Sequence, residues 1–166
     1  MSARQVFSFP DTVDEISARL VAAGVVLLAL ATIVFELRWM TILLALGFIA
    51  RVLSGPTLSP LGQLVTKVIR PALPVAPRIV AGAPKRFAQG IGAVFTISAV
   101  VLTYGFEQFA VARWVLAALV GAASLEAVVG LCVGCKIYGV LIRSGVISEA
   151  ACVDCADITR RVGVSF

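Results

Sequence analysis

The sequence predicts an all-α membrane protein: a four-helix transmembrane bundle with an amphipathic interfacial helix in the second loop. Three observations carry this expectation. The 166-residue chain is 60% hydrophobic and 14% charged, whereas globular domains are nearer a quarter charged. Its mean hydropathy is +1.05, and its apolar residues gather into runs approaching the ~20 that cross a bilayer. Its cations fall almost entirely on one side of the bundle that such runs would build.

Taken in order, the first span covers about Ser17–Phe35, entered through Thr12-Val13-Asp14-Glu15, which reads as a capping box. The first residues carry Asp11, Asp14 and Glu15 in place of a basic leader running into an apolar core, so the first helix is expected to stay in the membrane. Glu36-Leu37-Arg38 is a tight turn, and the second span runs from Trp39 to about Leu53. The loop from Ser54 to Arg86 holds six of the seven prolines. Within it, Ser59-Pro60 reads as an N-cap followed by proline at the first helical position. Leu61, Leu64, Val65, Val68 and Ile69 then recur at helical spacing opposite Gln63, Lys67 and Arg70. This predicts an amphipathic helix on the membrane surface, with Lys67 and Arg70 near lipid phosphates; packing beneath the bundle is the alternative. The third span is about Phe87–Phe106 and the fourth about Arg113–Tyr138, followed by a tail over 143–166. A single integral membrane domain, 1–166, accounts for the whole chain.

Charge orients the bundle. Of fourteen cationic residues, all but Arg38 and Arg113 fall on one side, leaving twelve there. The positive-inside rule then places both termini and the second loop in the cytoplasm of a bacterial inner-membrane protein. Trp39, Tyr104 and Trp114 sit at the opposite ends of their spans, where an outer aromatic belt belongs. The net charge of +5 is thus assigned to topology and anionic lipid, and no nucleic-acid partner is expected.

Two ionisable residues fall inside apolar spans, where a charge is costly and usually pairs inward. Arg51 and Glu126 each lie twelve residues from an outer-belt tryptophan, Trp39 and Trp114 respectively. That places both at a depth of ~18 Å and makes them expected partners, with Arg19 as the competitor for Glu126. The pair either relays protons or substrate, or fixes how the bundle assembles. On a continuous helix Glu126 would face away from Cys135, since nine residues turn the helix by about 180°.

The chemistry is concentrated in four cysteines, arranged as two C-x-x-C pairs, Cys132/Cys135 and Cys152/Cys155, with no histidine anywhere. The first pair is expected on the last turns of span four, with both sulfurs on one face. Gly130 and Gly134 would let another helix approach that face. Lys136 favours a thiolate, and the deeper position of Cys132 disfavours one. Cys135 is therefore expected to attack, with Cys132 resolving, so that Cys135→Ser abolishes a mixed disulfide and Cys132→Ser prolongs it. In the second pair, Asp154 works against a thiolate, which suits a resolving or ligating role. The sixteen-residue separation also fits a four-cysteine zinc template through Cys132, Cys135, Cys152 and Cys155. A third reading makes the cysteines small apolar fillers. No cofactor is required by the thiol reading; zinc is the candidate if the four thiolates bind metal.

Several strings together carry a resemblance: Val13-Asp14-Glu15 with Arg19, Gly55-Pro56-Thr57-Leu58-Ser59-Pro60, Arg86-Phe87-Ala88-Gln89 with Gly92, and Gly130-x-Cys132-x-Gly134-Cys135-x-x-Tyr138. On these the chain resembles an uncharacterised family of small bacterial four-span membrane proteins, a domain of unknown function. Such families are associated with thioredoxin-like and rhodanese-like proteins, which implies thiol or sulfur handling with a soluble partner of that kind. A looser likeness is to vitamin K epoxide reductase and related disulfide-forming bundles. There Cys132/Cys135 would match the pair facing quinone; here, however, the second pair is C-terminal and the charges put the thiols on the cytoplasmic face.

The functional expectation is a membrane-embedded thiol protein exchanging disulfide or sulfane sulfur with a soluble cytoplasmic partner, Cys152/Cys155 relaying to it. The alternatives are a non-enzymatic membrane subunit with a structural four-cysteine zinc site, and a small transporter for a sulfur species lined by Arg51 and Glu126. Membrane lipid is the other expected partner, and a homo-oligomer is compatible with the sequence.

Overall fold

The computed structural model describes residues 10–145. The order is β1 (Thr12–Asp14), α1 (Glu15–Val34), α2 (Met40–Ser54), α3 (Pro60–Leu64, continuing through Val65–Ile69 and Arg70–Ala72), β2 (Ile79–Ala81), α4 (Gly82–Gly105), α5 (Phe109–Val129) and α6 (Val133–Arg143). Among the described residues α1, α4 and α5 are long and apolar enough to cross a membrane, consistent with a membrane protein. The 15 residues of α2 span only about 22 Å.

The entrance to α1 differs from the expected capping box. Asp14, not Thr12, is the N-cap, accepting from the Ser17 N–H at 3.3 Å and from the Ser17 hydroxyl at 2.9 Å. Thr12–Asp14 is instead a strand, paired antiparallel with β2 in the register Thr12↔Ala81 and Asp14↔Ile79. Three-residue strands are too short to show a hydrophobic period. Asp14 also accepts from Arg70 and from the Arg78 backbone N–H, so one carboxylate ties the start of α1 to α3 and to the residue preceding β2.

Ser59 and Pro60 start α3 as expected, the Ser59 hydroxyl accepting from the Gly62 N–H. The turn before Pro71 widens to a π turn over Val65–Ile69, as proline lacks an N–H and its ring crowds the carbonyl four residues back. The apolar residues of α3 divide between two environments. Leu61 and Val65 turn to the bundle, Leu61 against Gly24 of α1, while Leu64 and Val68 are exposed.

α4 is the central element, packing along α2 and α5 and receiving α6, while α1 packs on α5. The core is built from small and medium residues, among them Val25, Ala29, Leu44, Phe48, Ala99, Ala112 and Leu116. Phe48 lies against Gly92, where a Cβ would collide with the ring. Buried Thr32, Thr96 and Thr103 each donate to the carbonyl one turn back, at 2.8, 2.9 and 2.6 Å, which removes the cost of their hydroxyls. Leu27, Val94, Trp114 and Val128 face outward, an apolar exterior suited to lipid.

The expected fourth span, running unbroken to Tyr138, is not formed. α5 ends in a π turn over Leu125–Val129, Gly130 adopts a left-handed conformation (φ 77°), and α6 starts afresh at Val133. Arg19 explains the stop. Its guanidinium donates to the Ala127 carbonyl at 3.3 Å and the Val128 carbonyl at 2.7 Å, taking up acceptors that a continuing helix would use. Arg19 thus caps α5, not Glu126.

Candidate functional site

The helix break creates the site. Because α6 begins at Val133, Cys132 becomes its N-cap, and the Cys132 sulfur accepts the Cys135 N–H at 3.4 Å. The pair therefore occupies the first turn of a helix, not the last turn of a span. A helix N-terminus presents unpaired N–H groups and a partial positive charge, which favour an anion. Both cysteines are free; Cys132 is 8% exposed and Cys135 half-buried.

Gly134 holds this turn in place. A Cβ there would lie 2.5 Å from the Ala88 Cβ and 2.6 Å from its Cα, so only glycine lets α6 lie flat on α4. The contact is locked further along by Phe87 and Tyr138, whose ring centroids are 5.4 Å apart. The helix approach expected at Gly134 is thus supplied from within the chain, by α4.

α4 also delivers the residue that the sequence reading missed. Lys85, 8% exposed, forms an ion pair with Glu126 at 2.6 Å. With Glu15, Gly130, Cys132, Cys135 and Lys136 it lines an open cavity of about 350 Å³. Hydropathy leaves Lys85 in the second loop, because the apolar run of span three begins only at Phe87. The signal was Pro84: proline is tolerated in a helix's first turn, where its missing N–H costs nothing, so Gly82-Ala83-Pro84-Lys85 can open the helix.

The expected Arg51–Glu126 pair is not formed. Glu126 is taken by Lys85, and Arg51 donates to Gln89 Oε1 at 3.0 Å and to the Ser59 hydroxyl at 3.2 Å, its guanidinium 4.3 Å from the centre of the Phe48 ring. Equal depth did not decide the pairing, because α4 lies between the two and offers closer partners from both of its sides. Arg51 and Glu126 line different cavities. Glu126 belongs to an apolar one of about 220 Å³ that runs from Cys132 past Gln89 and Gly134 to Phe48, Phe95 and Leu119.

The electrostatics of the two thiols diverge. The hydrogen bond from the Cys135 thiol lowers the pKa of Cys132, against burial and Glu126; Lys85 and the Cys135 backbone N–H act in the same lowering sense. That same bond, together with burial, pushes Cys135 up. Of the two, Cys132 is therefore the thiol that ionises first.

Cys152 and Cys155 lie outside the described residues. Among the described residues no three His, Cys, Asp or Glu side chains gather closely enough to hold a metal.

Residues 13–143 match the domain of unknown function DUF4395. The chain belongs to this family. The match spans both halves of the site, from Asp14 and Arg19 through Lys85 to Glu126, Cys132 and Cys135. No curated protein and no solved structure shows significant similarity to the chain.

Proposed function

We propose that this protein is a membrane thiol-exchange component in which Cys132 is the attacking thiolate and Cys135 the resolving thiol. The observation that carries this is the Cys132 sulfur at the N-terminus of α6, accepting the Cys135 N–H beside Lys85. A thiolate is the reactive form of cysteine, and helix N-termini and nearby cations are what stabilise it. These roles reverse those inferred from sequence, where an unbroken span made the deeper Cys132 the poorer nucleophile.

In the exchange, the Cys132 thiolate attacks one sulfur of a partner's disulfide. A mixed disulfide forms and the partner's other sulfur leaves as a thiolate. Cys135 then attacks the Cys132 sulfur, its proton passing to the departing partner thiolate, and the mixed disulfide breaks. The partner's disulfide is reduced and Cys132/Cys135 is oxidised to a disulfide. With a persulfide partner, the same thiolate takes the outer sulfur and releases the partner's thiolate with no net oxidation.

The partner is a soluble thioredoxin-like or rhodanese-like protein on the cytoplasmic side, and Cys152/Cys155 passes electrons or sulfur between it and the site. α2 completes a fourth crossing with the help of its flanking turns, giving a multi-pass inner-membrane protein with both termini cytoplasmic. The alternative is a four-thiolate zinc site, which metal analysis of the reduced protein separates: stoichiometric zinc released with four thiols would rule out the exchange reading. The direct test is the pH profile of alkylation by a small reagent, followed by peptide mapping. Cys132 should titrate below an ordinary thiol and Cys135 above it; the reverse order sinks the assignment.

A further inference from the structure

A second feature lies apart from the thiols and does not depend on their chemistry. Arg51 is 5% exposed, yet its partners Gln89 and Ser59 are neutral, and none of the ion pairs among the described residues includes it. A buried charge is costly unless a countercharge meets it. Arginine cannot relieve this by losing its proton. Of the five guanidinium N–H groups, two are engaged by these partners and the neutral Phe48 ring lies 4.3 Å away, which leaves three donors without a hydrogen bond among the described residues.

They face a cavity. Arg51 lines a space of about 200 Å³ bounded also by Asp14, Ala18, Thr66, Lys85 and Gln89. The other ionised groups in this wall are already matched: Asp14 by Arg70 and the Arg78 N–H, Lys85 by Glu126. Counting walls and partners together, the uncompensated charge is that of Arg51. The rest of the lining is largely apolar, so little solvent screens it.

We propose that this cavity binds a small oxyanion of the phosphate type through Arg51. The volume corresponds to roughly six waters at ~30 Å³ each, enough for a phosphate group either as the free ion or as a lipid headgroup entering beside the Ser54 end of α2. The planar guanidinium fork engages two oxygens of such a group at once. The anion supplies the countercharge that the described residues lack. Gln89 and Ser59 hold the fork in position for it.

The test is thermal unfolding of the full chain in neutral detergent, titrated either with inorganic phosphate against chloride of equal ionic strength or with phosphatidylglycerol against phosphatidylcholine. A bound anion raises the midpoint with the logarithm of its concentration once that exceeds the dissociation constant, whereas excluded-solute effects act alike in every variant. The wild type should show a rise with one of the two that exceeds the rise in the variants. Arg51→Lys should weaken the apparent affinity about tenfold, by loss of the two-pronged contact. Ala18→Leu, which fills the cavity and leaves Arg51 in place, should abolish the excess rise, and it carries the test if Arg51→Lys does not fold. An excess rise with inorganic phosphate identifies a free ion; an excess rise with phosphatidylglycerol alone identifies a headgroup. No rise with either beyond that of Ala18→Leu overturns the proposal.

Discussion

Lys85 acts alongside the Cys135 hydrogen bond to lower the pKa of Cys132, and its substitution separates two effects. Removing its charge should raise the pKa of Cys132, because Lys85 acts to lower it. In Lys85→Met the alkylation midpoint of Cys132 therefore moves to higher pH. The same change strands Glu126, whose side chain is 15% exposed, and breaking such a buried pair costs about 3 kcal/mol. Lys85→Met with Glu126→Gln removes both charges, so stability should recover relative to Lys85→Met alone. A midpoint unmoved in Lys85→Met would mean that the ammonium does not act on the thiolate. At this scale the sequence was only partly legible. The cysteines, Glu126 and Arg51 stand out by type and position in apolar segments. Their partners do not, because pairing was settled by where α4 begins, a shift of five residues from Phe87 to Gly82 that hydropathy cannot resolve.

Two short elements make the site, and each has a residue whose loss is diagnostic. α6 lies on α4 through Gly134, so Gly134→Ala forces the helix away from Ala88, with a cost of about 1–3 kcal/mol from overpacking. Its signature should be a rise in the Cys132 alkylation midpoint together with a lower unfolding midpoint. Gly130 holds φ 77°, a conformation costing a residue with a Cβ roughly 1–2 kcal/mol. Gly130→Ala should therefore destabilise measurably by thermal unfolding. At the start of α1, burial acts to raise the pKa of Asp14, but the bonds from Arg70, the Arg78 N–H and Ser17 outweigh it and the pKa is lowered. The folded state thus favours the carboxylate. Its stabilisation is complete above the unfolded value of 3.8 and is lost as pH falls through the lower folded value. Asp14→Ala removes the cap for about 1 kcal/mol at neutral pH, and its stability difference from wild type should shrink on acidification into that window. A difference independent of pH there would show that the Arg70 contact is not electrostatic. Ser59-Pro60 announced α3 correctly, since a cap and an N1 proline are local chemistry. The end of α5 was illegible: Arg19, more than a hundred residues away in sequence, supplies the donors that stop it.

For the whole molecule, composition conveyed a helical membrane chain; the described residues are mostly helical, with three long apolar helices, but add a two-stranded sheet that composition did not announce. The four-span count did not carry over so simply, because α2 is short and α6 is a separate helix. If α2 crosses and the thiols face the cytoplasm, a membrane-impermeant maleimide should label Cys132 or Cys135 in inverted vesicles and not in intact cells. Labelling from outside would reverse the topology drawn from the cations. Three elements converge on one helix N-terminus: α4 carries Lys85 and Ala88, α5 carries Glu126, and Arg19 of α1 ends α5 before the turn to Cys132. Thiol exchange through Cys132 is tested most directly by trapping: purify Cys132→Ser and Cys135→Ser from cells after acid quenching and look for a mixed disulfide on non-reducing gels. Cys135→Ser should accumulate a partner-linked species through Cys132, and Cys132→Ser should accumulate none. A species formed only in Cys132→Ser, or in neither variant, would contradict Cys132 as the attacking thiolate.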